Sequence, residues 1–327
     1  MGKGLRVSFA AAFCLILGAG AAFARSAITP ATTLELPDRF HPGSAAMAPD
    51  GRVFVSSITT GRIVVFAPGE RTSRDFIDVA KAEVDSAMGI KIDSVRSRLW
   101  ACTAAFGVHR TPGKHPTAVL AFDLQSGALL QTLPLPDGGL CNDLVLARNG
   151  AVVVTDSFLP RLLVLRPGSN AVEELVRNAA FEPPAGGFGV DGVIELDDGS
   201  LLISKNTAGE LLRVTNPFGK VPTVSRITTS RPLANADGLV LGPDGRIYLA
   251  EPDFAGTHGR INTIVLEGSN ARIETIADNL ATPLGVVVSS NGFWPVEGRM
   301  GPVLSPDRKN EDPGKMRLVL RRFGGVK

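Results

Sequence analysis

The stretch "NADGLVLGPDGRIYLAE", residues 235–251, decides the fold. An apolar run, a Pro-Asp-Gly turn ending at Gly245 and a second apolar run read as a β-hairpin, because Gly supplies the positive φ that a tight turn between strands requires. Asp237 stands just ahead of the first strand and Glu251 at the end of the second. The plan recurs in "GSAAMAPDGRVFVSS" from Gly43, "NDLVLARNGAVVVTDS" from Asn142, "DGVIELDDGSLLISKN" from Asp191 and "LGVVVSSNGFWPVEG" from Leu284. The turn glycines Gly150, Gly199, Gly245 and Gly292 follow one another at 46 to 49 residues, whereas Gly51 precedes Gly150 by 99, twice the period. "MGIKIDSVRSRLWACTA", from Met88, fills that gap with "SVRSR" in place of the glycine turn.

Six units of one length therefore cover most of the chain. After each hairpin come two further strand-like runs, such as "RIVVFAP" then "RDFIDVA", or "AVLAFDL" then "ALLQTLP". This pattern predicts an all-β protein, a six-bladed β-propeller with four antiparallel strands per blade. Helical solenoids are excluded by the absence of a helical stripe and by a load of 36 Gly and 23 Pro. The run "ATTLELP" is expected to be the outer strand of the last blade beside "MRLVLRRF", which leaves no free sheet edge.

Ahead of the repeats, "MGKGLR" carries Lys3 and Arg6, an uncharged run extends to Ala24, and "AFAR" offers Ala22 and Ala24 to a signal peptidase. Residues 1–24 read as a signal peptide cleaved after Ala24, with residues 25–327 a single propeller domain that is periplasmic or secreted. The run is too short and too rich in Ala and Gly for a retained anchor, so no membrane span is expected after cleavage. The formal charge of +2 falls to zero when Lys3 and Arg6 are lost, which argues against nucleic acid or an anionic membrane as partner. The expected partner is a small-molecule substrate or ligand. Cys102 and Cys141 remain, and neighbouring blades bring them to the same end, either as a disulfide or as two buried thiols.

In a propeller the first strand of each blade lines the central channel, so equivalent positions form a ring. The eighth residue before each turn glycine, with Met88 placed by strand alignment, gives the column Gly43, Met88, Asn142, Asp191, Asp237, Leu284. Strand parity brings the loops after the second strands to the same mouth, with Asp156, Lys205, Asn206, Glu251, Asp253 and Glu297. Two long loops there, "AAFGVHRTPGKHP" and "PDFAGTHG", hold His109, His115 and His258. Oxygen donors without thiolates suit a hard divalent cation, Ca2+ before Zn2+, with Asn142, Asp191 and Asp237 as metal ligands. The competing reading is that these residues cap strand starts, although the other three units manage with Gly, Met and Leu. Lys205, Glu251, Glu297 and His109 are the expected substrate-facing residues; Lys205 has the alternative of pairing with Glu251 or Asp191. No nucleophile elbow accompanies the scattered serines.

The runs "CNDLVLARNG", "VDGVIELDDG" and "ADGLVLGPDG", with "VTDS" after the first, resemble the senescence-marker-protein, gluconolactonase and luciferin-regenerating-enzyme family over most of the mature chain. The resemblance implies metal-dependent hydrolysis of lactones or related esters. It also implies a metal held by a Glu from blade 1, an Asn from blade 4 and an Asp from blade 5, with an Asn from blade 3 near the substrate. Those places are taken here by Gly43, Asp191, Asp237 and Asn142. Two departures stand out: Gly43 removes a ligand, and Asp191 returns a negative charge. By the same resemblance Asp237 is a ligand and the catalytic base, and Asn142 a ligand or carbonyl-orienting donor. His115 or His109 is the alternative base, as in the paraoxonase-like propellers. A second class remains open, a non-enzymatic propeller resembling NHL-repeat proteins that binds a ligand or protein on its top face.

Overall fold

A computed structural model describes residues 1–2, 31–78, 85–104, 117–254 and 257–323. Most of the expected signal segment, and the loop with His109 and His115, lie outside the described residues.

Each hairpin of the repeat forms. The inner strands are Pro42–Met47, Ala87–Asp93, Cys141–Leu146, Val190–Glu195, Leu239–Leu241 and Pro283–Ser289. Their antiparallel partners are Val53–Ser57, Arg98–Thr103, Val152–Asp156, Leu201–Lys205, Ile247–Glu251 and Gly292–Glu297. The turns need left-handed backbone, with φ of 84° at Gly150 and 75° at Gly245; in the unit without a turn glycine, Ser97 takes φ 56° instead. Every inner strand packs on the next, and Pro283–Ser289 packs on Pro42–Met47, so the ring is closed and the fold is a β-propeller.

Three units are separate four-stranded sheets in sequential order, those beginning at Pro42, Ala87 and Cys141. Two departures from six separate sheets follow. The units beginning at Val190 and Leu239 run together as eight strands, because the outer strands Thr223–Thr229 and Asn270–Leu280 pair in parallel at Thr228↔Asn270 and Thr229↔Ala271. The outer hairpin of Gly259–Glu267 and Asn270–Leu280 runs past Ile247, which pairs with Ile264, so its tip at Asn270 and Ala271 reaches the neighbouring edge; the two extra residues of Asn270–Leu280 are taken up by register shifts near Ile261. In the last unit "MRLVLRRF" divides: Arg317–Val319 pairs with Thr33–Glu35, and Arg321–Arg322 with the strand at Gly292 and Phe293. The hand-over falls at Leu320, whose N–H donates to Thr32 O at 2.8 Å.

The second strands are buried on both faces, since each sheet is covered by its neighbours. Phe54, Ile63 and Val65 pack with Ile90, Leu99 and Leu120 across one interface, and Val153 and Leu162 with Val193 and Leu212 across another. Each fully buried aliphatic side chain contributes about 1.5–3 kcal/mol, so these contacts between sheets stabilise the ring. Cys102 and Cys141 form a disulfide that joins the second unit to the third, 39 residues apart. Among the described residues no helix is long and apolar enough to cross a membrane.

Candidate functional site

The start of each inner strand is irregular. Register breaks fall between Pro42 and Ser44, Ala87 and Ile90, Cys141 and Leu144, Val190 and Val193, and Pro283 and Gly285. Each break contains one residue of the ring column, and a bulge of this kind re-aims a side chain out of the sheet. In the remaining unit Asp237 lies just ahead of its strand, with its N–H bonded to Ala250 O at 3.0 Å. Gly43, Met88, Asn142, Asp191, Asp237 and Leu284 all line one cavity at the channel mouth, about 790 Å³ with its opening included.

Three units also hold the ring residue of the next. Ser56 Oγ donates to Met88 O, Thr155 Oγ1 to Asp191 O and Ser204 Oγ to Asp237 O, each at 2.6 Å. In the second unit Cys102 has the corresponding place, and its bond to Cys141 makes the link covalent beside Asn142. The close approach explains the glycines that follow: a Cβ at Gly192 would stand 2.4 Å from Leu239 N and 2.7 Å from Asp237 O.

The centre of the site is an amide between two acids. Asn206 Nδ2 donates to Asp191 Oδ2 at 2.9 Å and to Asp237 Oδ2 at 2.7 Å. All three residues are buried, and Asn206 Oδ1 is buried without a hydrogen-bond partner. Burial pushes the Asp191 carboxyl up to about 7, with the charge of Asp143 acting in the same direction. Asp237 is raised well above the usual carboxylate range, first by burial and then by Asp191. Asn142 donates through Nδ2 to Ser157 Oγ at 2.8 Å. Beside it Lys91 Nζ pairs with both oxygens of Asp143, at 2.7 and 3.0 Å.

The three expected substrate contacts from strand ends do not line this cavity. Lys205 Nζ donates to Ala180 O at 2.9 Å. Glu251 is enclosed by Arg231 at 2.8 Å, Arg260 at 3.5 Å and the Asn262 amide at 3.0 Å. Glu297 accepts from Ala281 N–H at 2.8 Å. Successive strand side chains point to opposite sides, so these last strand residues face neighbouring segments and the next residue turns toward the axis. That next position runs Ile58, Ala104, Ser157, Asn206, Pro252, Gly298 through the units, a second column readable in the same repeat and supplying Asn206 and Ile58 to the cavity. His258 is exposed, and its backbone N–H donates to Asp253 Oδ2.

No family model and no curated protein matches the chain. Solved structures do. A candidate gluconolactonase superposes with TM-score 0.60 at 13% identity, over 91% of this chain and 96% of that one. Virginiamycin B lyase from Staphylococcus aureus gives 0.56 at 13% identity over 88% and 98% of the two chains, and a streptogramin B lyase 0.58 at 18% over 89% and 87%. At these identities the likeness establishes the propeller fold.

Proposed function

We propose that this chain is an exported six-bladed propeller that hydrolyses lactones or related esters with the help of a divalent cation, Ca2+, at the channel mouth. The observation that carries the reading is the Asn206 amide between two buried carboxylates, with its own carbonyl oxygen left unpartnered. Two carboxylates without a salt bridge among the described residues, the nearby Lys91 being paired with Asp143, and an orphaned amide oxygen form a donor set for a hard cation. Among the described residues no three His, Cys, Asp or Glu side chains are grouped to hold a metal, so donors beyond Asp191 and Asp237 are the amides of Asn142 and Asn206. A site of that composition does not suit zinc.

A cation held by Asp191, Asp237, Asn142 and Asn206 supplies Lewis-acid polarisation of the acyl carbonyl. The protein's residues do the rest. Asp237 takes a proton from the attacking water as the water oxygen bonds to the acyl carbon, and returns it to the alkoxide oxygen when the acyl C–O bond breaks. The Asn206 N–H donors fix both carboxylates. Asn142, held by Ser157, orients the acyl group. His115 is the alternative base, from the loop outside the described residues. Residues 1–24 direct export, with cleavage after Ala24, which the N-terminal sequence of the exported protein tests.

The reading is tested by calorimetric titration of chelator-treated protein with Ca2+, wild type beside Asp237→Ala, followed by a lactone and ester panel. Saturable binding lost in the variant, with turnover of a lactone or ester, is the expected result. Absence of both binding and turnover retires the hydrolase. The competing reading, a non-enzymatic propeller that binds a ligand, is favoured by one observation: a Cβ at position 43 would stand 2.7 Å from Ile58 Cγ1, so the first unit has no room for the ligand side chain that the resemblance places there.

A further inference from the structure

The cavity has two unlike sides. Asn142, Asp143, Asp191, Asn206 and Asp237 make one, from three consecutive units and the loop after Lys205. The other comes from the last, first and second units: Leu284, Gly43 and Met88 from the ring column, Ile58 from the second column, and Met300 and Leu304 from the short helical turn Gly301–Leu304 and its flank. Ile58, Met88, Leu284 and Met300 belong to one buried apolar cluster, and Phe188, Phe254 and Leu304 pack against it while also lining the cavity.

The second side offers few side-chain hydrogen-bonding groups, Ser44 being the one hydroxyl among the described residues that line it. Ser56 Oγ donates to Met88 O, and Ser44 Oγ accepts from Ile90 N–H at 3.4 Å. Gly43 and Ile58 are a matched pair, the Ile58 branch occupying the volume in which a side chain at 43 would begin. A sugar lactone seated here would bury several hydroxyls against carbon, and each hydroxyl without a partner weakens binding. An alkyl arm on the same wall gains affinity with every methylene removed from water.

We infer that the substrate is a lactone or ester with an apolar arm of several carbons laid along Gly43, Ile58, Met88 and Leu284, and that Ile58 is a specificity-determining residue against polyhydroxylated lactones. The lactone or ester head rests on the hydrolase reading above; the arm rests on the wall alone.

The test separates the two. Non-hydrolysable γ-lactams with γ-substituents from methyl to hexyl, and one polyhydroxylated lactam, are titrated by calorimetry into the full protein with Ca2+ present. The expected result is a Kd that tightens roughly three- to fourfold per methylene over the first several carbons. The polyhydroxylated lactam is expected to bind more weakly than the butyl compound. Ile58→Asn is expected to flatten the series; because Ile58 is buried, Leu304→Gln on the half-buried helical turn gives a second, milder flattening in a variant under less folding stress. A flat series in the wild type, tighter binding of the polyhydroxylated lactam, or no binding of any lactam overturns the inference. Turnover is measured separately on the matching lactones. A chain-length series in binding without turnover retires the hydrolase and leaves the apolar arm standing as that of a bound ligand.

Discussion

Gly43 and Ile58 share one volume at the channel mouth: a Cβ on the first would lie 2.7 Å from Cγ1 and 3.1 Å from Cδ1 of the second. Gly43→Ala therefore overpacks the wall and is expected to cost about 1–3 kcal/mol. Ile58→Ala empties it, at roughly 2–5 kcal/mol. Combined, the two changes relieve each other, so the double variant is expected to lose clearly less than the sum in urea unfolding. Strict additivity would show that the two positions do not compete for space.

On the proposed cation site, Asn206 and Asp191 are expected to act in opposite senses on the stability of the metal-free protein. Asn206→Leu leaves two buried carboxylates without their shared donor, and is expected to lower the stability of the chelator-treated protein by about 1–3 kcal/mol. Calcium affinity is expected to fall at least tenfold by calorimetry. Asp191→Asn is expected to work in the opposite sense on stability: it removes a buried charge, so at pH 8 the metal-free variant is expected to be the more stable protein, and on the proposed cation site its calcium affinity is expected to be lower. A metal-free Asp191→Asn variant less stable than wild type at that pH would contradict the electrostatic account of the pair.

The seam is expected to be acid-sensitive. His41 is buried, and its Nδ1 lies 3.0 Å from Gly298 O in the last unit. Burial is the main effect and holds its pKa below the ordinary 6.5. A depressed pKa means that the unfolded chain takes up the proton first, so the contribution is complete above 6.5 and is lost as pH falls from there through the folded value. Denaturant midpoints measured from pH 8 to 5 are expected to fall below pH 6.5 in wild type and to fall less in His41→Gln. Parallel curves would assign the acid sensitivity to other groups.

Reduction is expected to be costly, and the replacement residue matters. The disulfide closes 39 residues of chain, worth roughly 4 kcal/mol on the chain-entropy account. Cys102 holds the place that Ser56, Thr155 and Ser204 hold in other units. The pair Cys102→Ser with Cys141→Ala is therefore expected to be more stable than Cys102→Ala with Cys141→Ala by about 1 kcal/mol, as the new hydroxyl finds a carbonyl of the next inner strand. Equal stability of the two would mean that the hydroxyl finds no partner there.

The repeat made the propeller legible because its hairpins need glycine at the turn, and fixed spacing then aligned Asn142, Asp191 and Asp237 on one ring. What the alignment did not reveal is which neighbouring residue turns inward. Lys205 and Asn206 are adjacent, yet strand pleating sends the lysine to Ala180 O and the amide to the two carboxylates. Glu251 reads as an open acid until Arg231, 20 residues away on another segment, is seen to cover it. The joined fourth and fifth sheets depend on the outer hairpin of Gly259–Glu267 and Asn270–Leu280 running past the inner strands of its own sheet, a matter of strand length that hydrophobic alternation does not encode.

The pairing of Thr33–Glu35 with Arg317–Val319 also sets an order of assembly. A chain emerging from its N-terminus lays down the acid-and-amide side of the cavity from consecutive units, whereas the apolar side combines Gly43 and Met88 with Leu284 across the seam. The two halves of the pocket are joined only when the last strand closes the ring. The ring is thus closed by one of its last strands, and loss of Arg317–Val319 is expected to loosen the seam beside the wall of Gly43, Ile58, Met88 and Leu284 while leaving the acid-and-amide side, built from consecutive units, in place.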